Sequence, residues 1–288
     1  MKIKITADST CDLSPEILEK YKISISPLTV SLGDDSFKDS IDIHPKDIYN
    51  YFEKTSMVPK TSAVNVGDYE DFFSPFIKKG YTIIHINISS GFSSSYQNAL
   101  IAAENLGNIF VVDSKNLSTG SALLVLTAVT MAKKGESPQN IVEKLEDMAT
   151  KVEASFVIDT LTYLHKGGRC STIAALGANL LKLKPCIEVI DGGMTVGKKY
   201  RGSIENVVLK YIEERLKDRE DIDYERIFVT HTGCSKAVVN SAIKTIVALQ
   251  PKFKEIIETV AGCTITSHCG PNTLGILFVR TNKDKIKK

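Results

Sequence analysis

The chain has almost no excess of either charge. Lys and Arg number 36 and Asp and Glu 34, a formal net charge of +2. That balance removes the electrostatic argument for a nucleic-acid partner. Six cysteines are scattered with no CxxC pair. The expectation is reduced thiols in a cytoplasmic protein rather than a disulfide framework. No secretory signal precedes the strand-like start at Lys2 to Ile5. The longest apolar run, Ala122 to Ala132, is broken by Thr127 and Thr130 and is too short to span a bilayer. A GxGxxG loop and a P-loop lysine are both missing, which argues against a nucleotide cofactor and against a phosphotransferase acting alone. Cys263, His268 and Cys269 fit no standard zinc spacing, so no metal is expected. Repeats and low-complexity segments are lacking too.

What is present is a globular composition: 288 residues, 43% of them apolar, enough for two ordinary domains. The most informative stretch runs from Ile83 to Tyr96. An apolar β-branched run ends in a cluster of serines around Gly91, and a helical pattern follows through Ala99, Leu100, Ala103 and Leu106. This spacing predicts strand, tight turn and helix. A turn at the carboxyl end of a buried strand is where open α/β sheets bind ligands. The following helix directs N–H groups and its positive dipole end at the turn. Hydroxyls without a lysine suit a small anion such as a carboxylate.

The first half alternates strands and helices. Strands are expected over Lys2–Thr6, Ile23–Leu32, 82–88 and Ile109–Val112, and helices after Ser14-Pro15 and over Tyr69–Lys79, Asn116–Lys134 and from Ser137-Pro138. Such alternation argues for a parallel sheet covered on both faces. Residues 33–68 carry no clear pattern. In the second half, Ser155–Ile158 reads as a strand, Ile173–Leu183 as an apolar helix, and Asp191-Gly192-Gly193 as the turn of a hairpin over Ile187–Lys199. Ser203 and Ser235 are helix caps, and Ile227–Thr230 is a strand. Ile256–Thr266 and Leu274–Val279 read as strands flanking Ser267 to Thr273. A boundary near residue 152 is expected, with domains over 1–152 and 153–288.

Taken in order, these residues resemble one family. Thr6-Ala7-Asp8-Ser9-Thr10-Cys11-Asp12-Leu13 is similar to the opening of the bacterial DegV family. Further matches are Thr61-Ser62, Ser89 to Gln97, Asp113-Ser114, Tyr163 to Arg169, Lys184-Pro185, Asp191-Gly192, Lys199-Tyr200-Arg201 and His268-Cys269-Gly270-Pro271. The resemblance covers essentially the whole chain. It implies two α/β domains, the N-terminal one with a parallel sheet and the C-terminal one with a mixed sheet, and a ligand tunnel between them. It implies a carrier, not an enzyme, that binds one long-chain fatty acid. A separate ATP-dependent fatty acid kinase then phosphorylates the presented carboxylate, and the acyl phosphate feeds phospholipid synthesis. Two departures fall by the expected head-group site. Ala63-Val64-Asn65 stands where the family has Gln-Pro-Ser, and Cys269 and Asn272 alter the family's His-Thr-Gly-Pro-Gly.

The resemblance implies a carboxylate site of Thr61, Ser93 and His268, with Ser62, Ser94 and Asp113 as neighbours. A carboxylate leaving water needs donors, and these side chains supply them without a fixed charge. Residue types alone also allow a plain reading: Ser93 caps its helix, Thr61 lies in a loop, and His268 satisfies a carbonyl. Asp8 with Ser9 can likewise cap the helix that follows. Arg169, after Gly167-Gly168, and Arg201 are expected kinase contacts. A surface arginine near a helix C-terminus is the alternative for Arg169. The rival function is a serine hydrolase acting on a lipid or acyl ester, with Ser93 as nucleophile and His268 and Asp113 in support. Ser95 replaces the second glycine of its G-x-S-x-G turn, and an HGGG-type segment is lacking.

Overall fold

The computed structural model describes residues 2–169 and 183–281. The helix expected over Ile173–Leu183 and the basic tail from Lys283 lie outside the described residues, apart from Leu183. The chain divides into two compact units. The first comprises Met1–Ala149 together with Asp191–Gly193 and Ala261–Ser267, and the second holds the remainder.

The first unit is built on a parallel sheet. Its strands are β1 (Lys2–Asp8), β2 (Ser24–Ser26), β6 (Tyr81–Asn87) and β7 (Ile109–Asp113), in the order β2-β1-β6-β7. The apolar run Ile83-Ile84-His85-Ile86 in the central strand β6, buried throughout, follows from cover on both faces. One helix, Thr119–Lys133, is apolar all round, and Ala122 to Leu126 are buried. It packs against β1 and β6. Helices Val66–Lys78 and Ser95–Leu106 pack on each other, around Tyr69, Phe73, Ile83, Ala99 and Ala102. The residues between 33 and 68, unreadable by periodicity, form part of a small antiparallel sheet. It orders β4 (Asp35–Lys38), β3 (Thr29–Leu32) and β5 (Lys60–Ser62), beside helix Pro45–Thr55. Val30, Ile43, Ile48 and Cys263 make its core.

The second unit carries a six-stranded mixed sheet in the order β10-β9-β8-β13-β11-β12. These are β8 (Val152–Val157), β9 (Lys184–Ile190), β10 (Gly193–Tyr200), β11 (Ile222–His231), β12 (Glu255–Val260) and β13 (Leu274–Arg280). Strands β11 and β12 run parallel, while β13 lies antiparallel to both β11 and β8. Helices Ile204–Leu216 and Lys236–Leu249 bury Tyr211, Ile212, Val239 and Ile246 against Phe278 and its neighbours. Their caps are as read from sequence. Ser203 accepts from Asn206 N–H and Ser235 from Val238 N–H. Arg219 bridges Glu153, at 3.0 Å, and Asp221, at 2.8 Å.

Two expected strands are corrected. Ile23–Leu32 is two strands in different sheets, because Pro27 has no N–H to continue a ladder. Ile256–Thr266 ends at Val260, and Cys263–Cys269 is helical. Cys, Thr and Ile favour strands, but Asp39 accepts from Cys263 N at 2.8 Å and Thr264 N at 3.2 Å. A carboxylate on the first-turn N–H groups offsets the local preference.

A buried histidine sets an acid-sensitive point in the first unit. His85 Nδ1 lies 2.9 Å from Thr6 Oγ1, and the ring is packed edge-on to Tyr69, Phe72 and Phe73. Burial lowers its pKa from 6.5 to about 3. The unfolded chain therefore takes up a proton near pH 6.5 that the folded state refuses until about pH 3. Stability from this residue is lost as pH falls through that window. Asp8 acts oppositely. Burial raises it from 3.8 to about 6, against its own hydrogen bonds, so its contribution declines as pH rises between those values. His85→Gln removes the first effect alone. Urea melts should show it costing about 1 kcal/mol or more at pH 7, with a deficit that shrinks steadily toward pH 4. A deficit constant with pH contradicts the assignment.

Candidate functional site

Each half of the expected site can be built from its own unit. In the first, β6 ends at Asn87 and the turn Ile88 to Ser94 leads into helix Ser95–Leu106. Asp8 fixes the strand end by accepting from Ile88 N at 2.7 Å. It also accepts from Thr10 N and so caps the short 3-10 helix Ser9–Cys11. The capping reading of Asp8 is therefore the structural one. Ser89 Oγ donates to Gly192 O at 2.7 Å. Gly91 lies so close to that carbonyl that a Cβ would overlap it, which explains the lone glycine of the serine cluster.

Ser93 is half-buried and Ser94 exposed. Ser93 Oγ accepts from Ser95 N at 3.2 Å and lies 2.9 Å from Ser95 Oγ. Ser95 Oγ accepts from Val64 N at 3.3 Å, and Asn98 Nδ2 donates to Val64 O at 2.8 Å. These bonds tie the segment after Thr61-Ser62 to the Ser93 turn. Thr61 is half-buried in β5, paired with Val30, and Ser62 is exposed. Ala63-Val64-Asn65 thus has a plain role: Val64 makes the two backbone bonds, and Asn65 caps helix Val66–Lys78.

Asp113 is committed to its neighbours. Its oxygens accept from Ser90 N at 3.3 Å, Ser90 Oγ at 2.6 Å and Lys115 N at 2.8 Å. A carboxylate so occupied fastens two loops together, which weakens its candidacy as the orienting acid of a hydrolase.

In the second unit, His268 sits in the last turn of helix Cys263–Cys269. Its ring lies against Gly167, where any Cβ would overlap Nδ1. Gly270 is similarly pressed on the ring of Tyr163. The Tyr163 to Arg169 and His268 to Pro271 motifs therefore pack on each other through glycines. Nothing in either local pattern announces this fit. Burial, with the Arg169 charge second, lowers His268 from 6.5 to about 4, so at neutral pH it is an uncharged imidazole with one N–H. Arg169 is exposed, and its Nη1 donates to Gly167 O at 3.1 Å. Arg201 is also exposed, just past β10. Asn272, a departure from the family pattern, donates to Asp159 at 3.3 Å.

A parallel-sheet unit whose strand-end turn is lined with hydroxyls, and a mixed-sheet unit with a neutral imidazole and an exposed arginine, define a two-unit α/β protein equipped with neutral donors. The family model described as "Uncharacterised protein, DegV family" matches residues 2–281. The chain belongs to the DegV family. A DegV domain-containing protein of Clostridium acetobutylicum is 32% identical over 280 residues, covering 96% of this chain and 98% of that one. The fatty-acid-binding DegV family protein of Thermus thermophilus superimposes with a TM-score of 0.88 at 25% identity, over 97% of this chain and 100% of that one. A stearic acid-binding protein of Eubacterium ventriosum gives 0.81 at 28% identity, over 98% and 99%. Among the described residues no helix is long and apolar enough to cross a membrane.

The coupling between Arg169 and His268 can be measured directly. Removing the cation in Arg169→Ala should raise the His268 pKa above about 4, while burial keeps it below 6.5. An imidazole proton titration by NMR reads both. An unchanged value means that the guanidinium does not act on the ring.

Proposed function

We propose that this protein binds one long-chain fatty acid and presents its carboxylate to a separate ATP-dependent kinase, which converts it to an acyl phosphate. The observation that carries the binding step is full-length similarity to fatty-acid-binding DegV proteins, at a TM-score of 0.88 for the Thermus thermophilus protein. The Ser93 turn supports the same reading. A fatty acid carboxylate needs neutral donors when it leaves water, and we assign that role to Ser93, Thr61 and His268. Ser62, Ser94 and Asp113 line the approach or brace it. The kinase step is supported by the resemblance of Tyr163 to Arg169 and by chemistry. This chain has no P-loop lysine or GxGxxG loop of its own, and we assign the transfer of the ATP phosphoryl group to a separate protein. Exposed Arg169 and Arg201 are assigned to that partner, because a guanidinium pairs well with a carboxylate or phosphate.

Native mass spectrometry of the purified protein should show one bound fatty acid. Delipidated protein that binds no C14–C18 acid would refute the binding step. Ser93→Ala and His268→Ala should each remove a donor worth roughly 1.5–3 kcal/mol to a charged acceptor. Most affinity resides in the buried acyl chain, so phosphoryl transfer should fall further than binding as the carboxylate loses its aim. Arg169→Ala should keep its lipid and lose acyl phosphate formation with the kinase, both read on the same sample. Loss of lipid with normal kinase docking would move Arg169 into the pocket.

A further inference from the structure

The two ends of the parallel sheet in the first unit carry different side chains. The serine turn lies where β6 ends. The opposite edge, where the strands begin, gathers four short segments that are far apart in sequence. Lys2-Ile3-Lys4 opens β1, and Lys20-Tyr21-Lys22 closes helix Pro15–Tyr21. Lys78-Lys79-Gly80 closes helix Val66–Lys78, and Lys133-Lys134-Gly135 closes helix Thr119–Lys133. Each segment contributes two lysines, eight in all.

Register and contacts set these segments side by side. Lys2 pairs with Tyr81, which directly follows Lys79-Gly80. Lys4 Nζ donates to Lys22 O and lies 5.1 Å from the centre of the Phe76 ring. The ammonium groups of Lys20 and Lys133 lie 5.2 and 4.8 Å from the centre of the Tyr21 ring, which joins the ends of two helices. Every one of the eight except Lys4 is exposed. None of them enters an ion pair among the described residues. The acids in the same closing turns are Glu19, Glu104 and Glu136, three against eight. A helix C-terminus favours a cation in its last turn, which accounts for Lys20, Lys78 and Lys133. It does not account for Lys2 and Lys4, which open a strand. Lys4 is half-buried, and burial, with the Lys22 charge second, lowers its pKa from 10.5. Like charges are held together here at a cost.

The kind of cation indicates the kind of partner. No arginine occurs in these segments. Interfaces between proteins are enriched in arginine and poor in lysine, because a guanidinium fork fixes a register. An ammonium is a compact, hydrated point charge. Such charges suit a fluid layer of anionic head groups, which offers attraction without register. We propose that this lysine edge docks on anionic phospholipid and lays the first unit against a membrane surface. β6 is seven residues long, so the serine turn then stands about 20 Å from the bilayer face. The proposal holds whichever ligand that turn takes.

Vesicle co-sedimentation of the full chain tests it. Vesicles of equal parts phosphatidylglycerol and phosphatidylcholine should bind the protein at low salt and release it as salt rises. Vesicles of phosphatidylcholine alone should not bind it. The triple variant Lys20→Gln, Lys79→Gln, Lys134→Gln removes three charges from the edge. The triple variant Lys210→Gln, Lys236→Gln, Lys244→Gln removes three exposed lysines of the second unit and leaves the same net charge. The edge variant should bind the mixed vesicles about a hundredfold more weakly, three lysines at about 1 kcal/mol each, and the second variant as the wild type does. Should thermal melts show the edge variant unfolded, Lys79→Gln and Lys134→Gln carry the test singly, each with a loss of about fivefold. Equal losses in the two triple variants would mean that net charge alone drives binding, and the proposal would be wrong. A wild type that ignores phosphatidylglycerol overturns it too. So does tighter binding to duplex DNA than to the mixed vesicles at the same salt, which would make the partner a nucleic acid.

Discussion

Two buried acids, Asp12 and Asp39, hold together the part of the first unit that lies furthest apart in sequence. Asp39 accepts from Cys263 N and Thr264 N, and also from Ser9 Oγ at 2.9 Å. Asp12 accepts from Gly262 N at 2.8 Å and from Ser118 Oγ. Gly262 leaves room for both acids, since a Cβ there would crowd Asp12, Asp39 and Ser40. Burial, with Asp39 and Asp8 nearby and hydrogen bonds opposing, pushes Asp12 up to about 8. Backbone N–H groups buried without such partners would cost about 1–3 kcal/mol each. The helical state of Cys263–Cys269 thus depends on residues near the start of the chain.

This dependence explains what could and could not be read from the sequence. The elements around the site were legible wherever period and punctuation agreed. The strand over 82–88 appears as Tyr81–Asn87, the serine turn follows it, and Ser203 and Ser235 cap their helices. A strand alternates or fills with β-branched residues, and a cap serine precedes a helical stripe, so both signals are local. The small sheet formed from Thr29–Leu32, Asp35–Lys38 and Lys60–Ser62 was not legible, because strands of three or four residues show too little periodicity. The helix at Cys263 was misread for another reason. Its sequence prefers strand, and its stabilising contact comes from Asp39.

The candidate site divides along the same line. Ser93 and His268 were picked out by motif; Ser93 lies among hydroxyls, and the His268 ring is buried against Gly167. The buried contact of Asn87 with Asp8 and Tyr69 was not, since no local pattern pairs a strand-end asparagine with a tyrosine on a separate helix. Only the fold that brings β1, β6 and the Val66–Lys78 helix together discloses it. Gly167 offers a similar lesson. As half of a Gly-Gly pair it reads as a helix stop, but its lack of a side chain is what admits the His268 ring.

The discontinuous make-up of the first unit has a consequence for how the protein is made. Translation delivers Met1–Ala149 long before Ala261–Ser267. Asp39 meets Cys263 across 224 residues and Asp12 meets Gly262 across 250. Contacts of that separation close late and slow the search for the native state. A chain ending at Ala149 lacks the amide partners of both acids. The three-stranded sheet then also lacks Cys263, which completes its core with Val30 and Ile48.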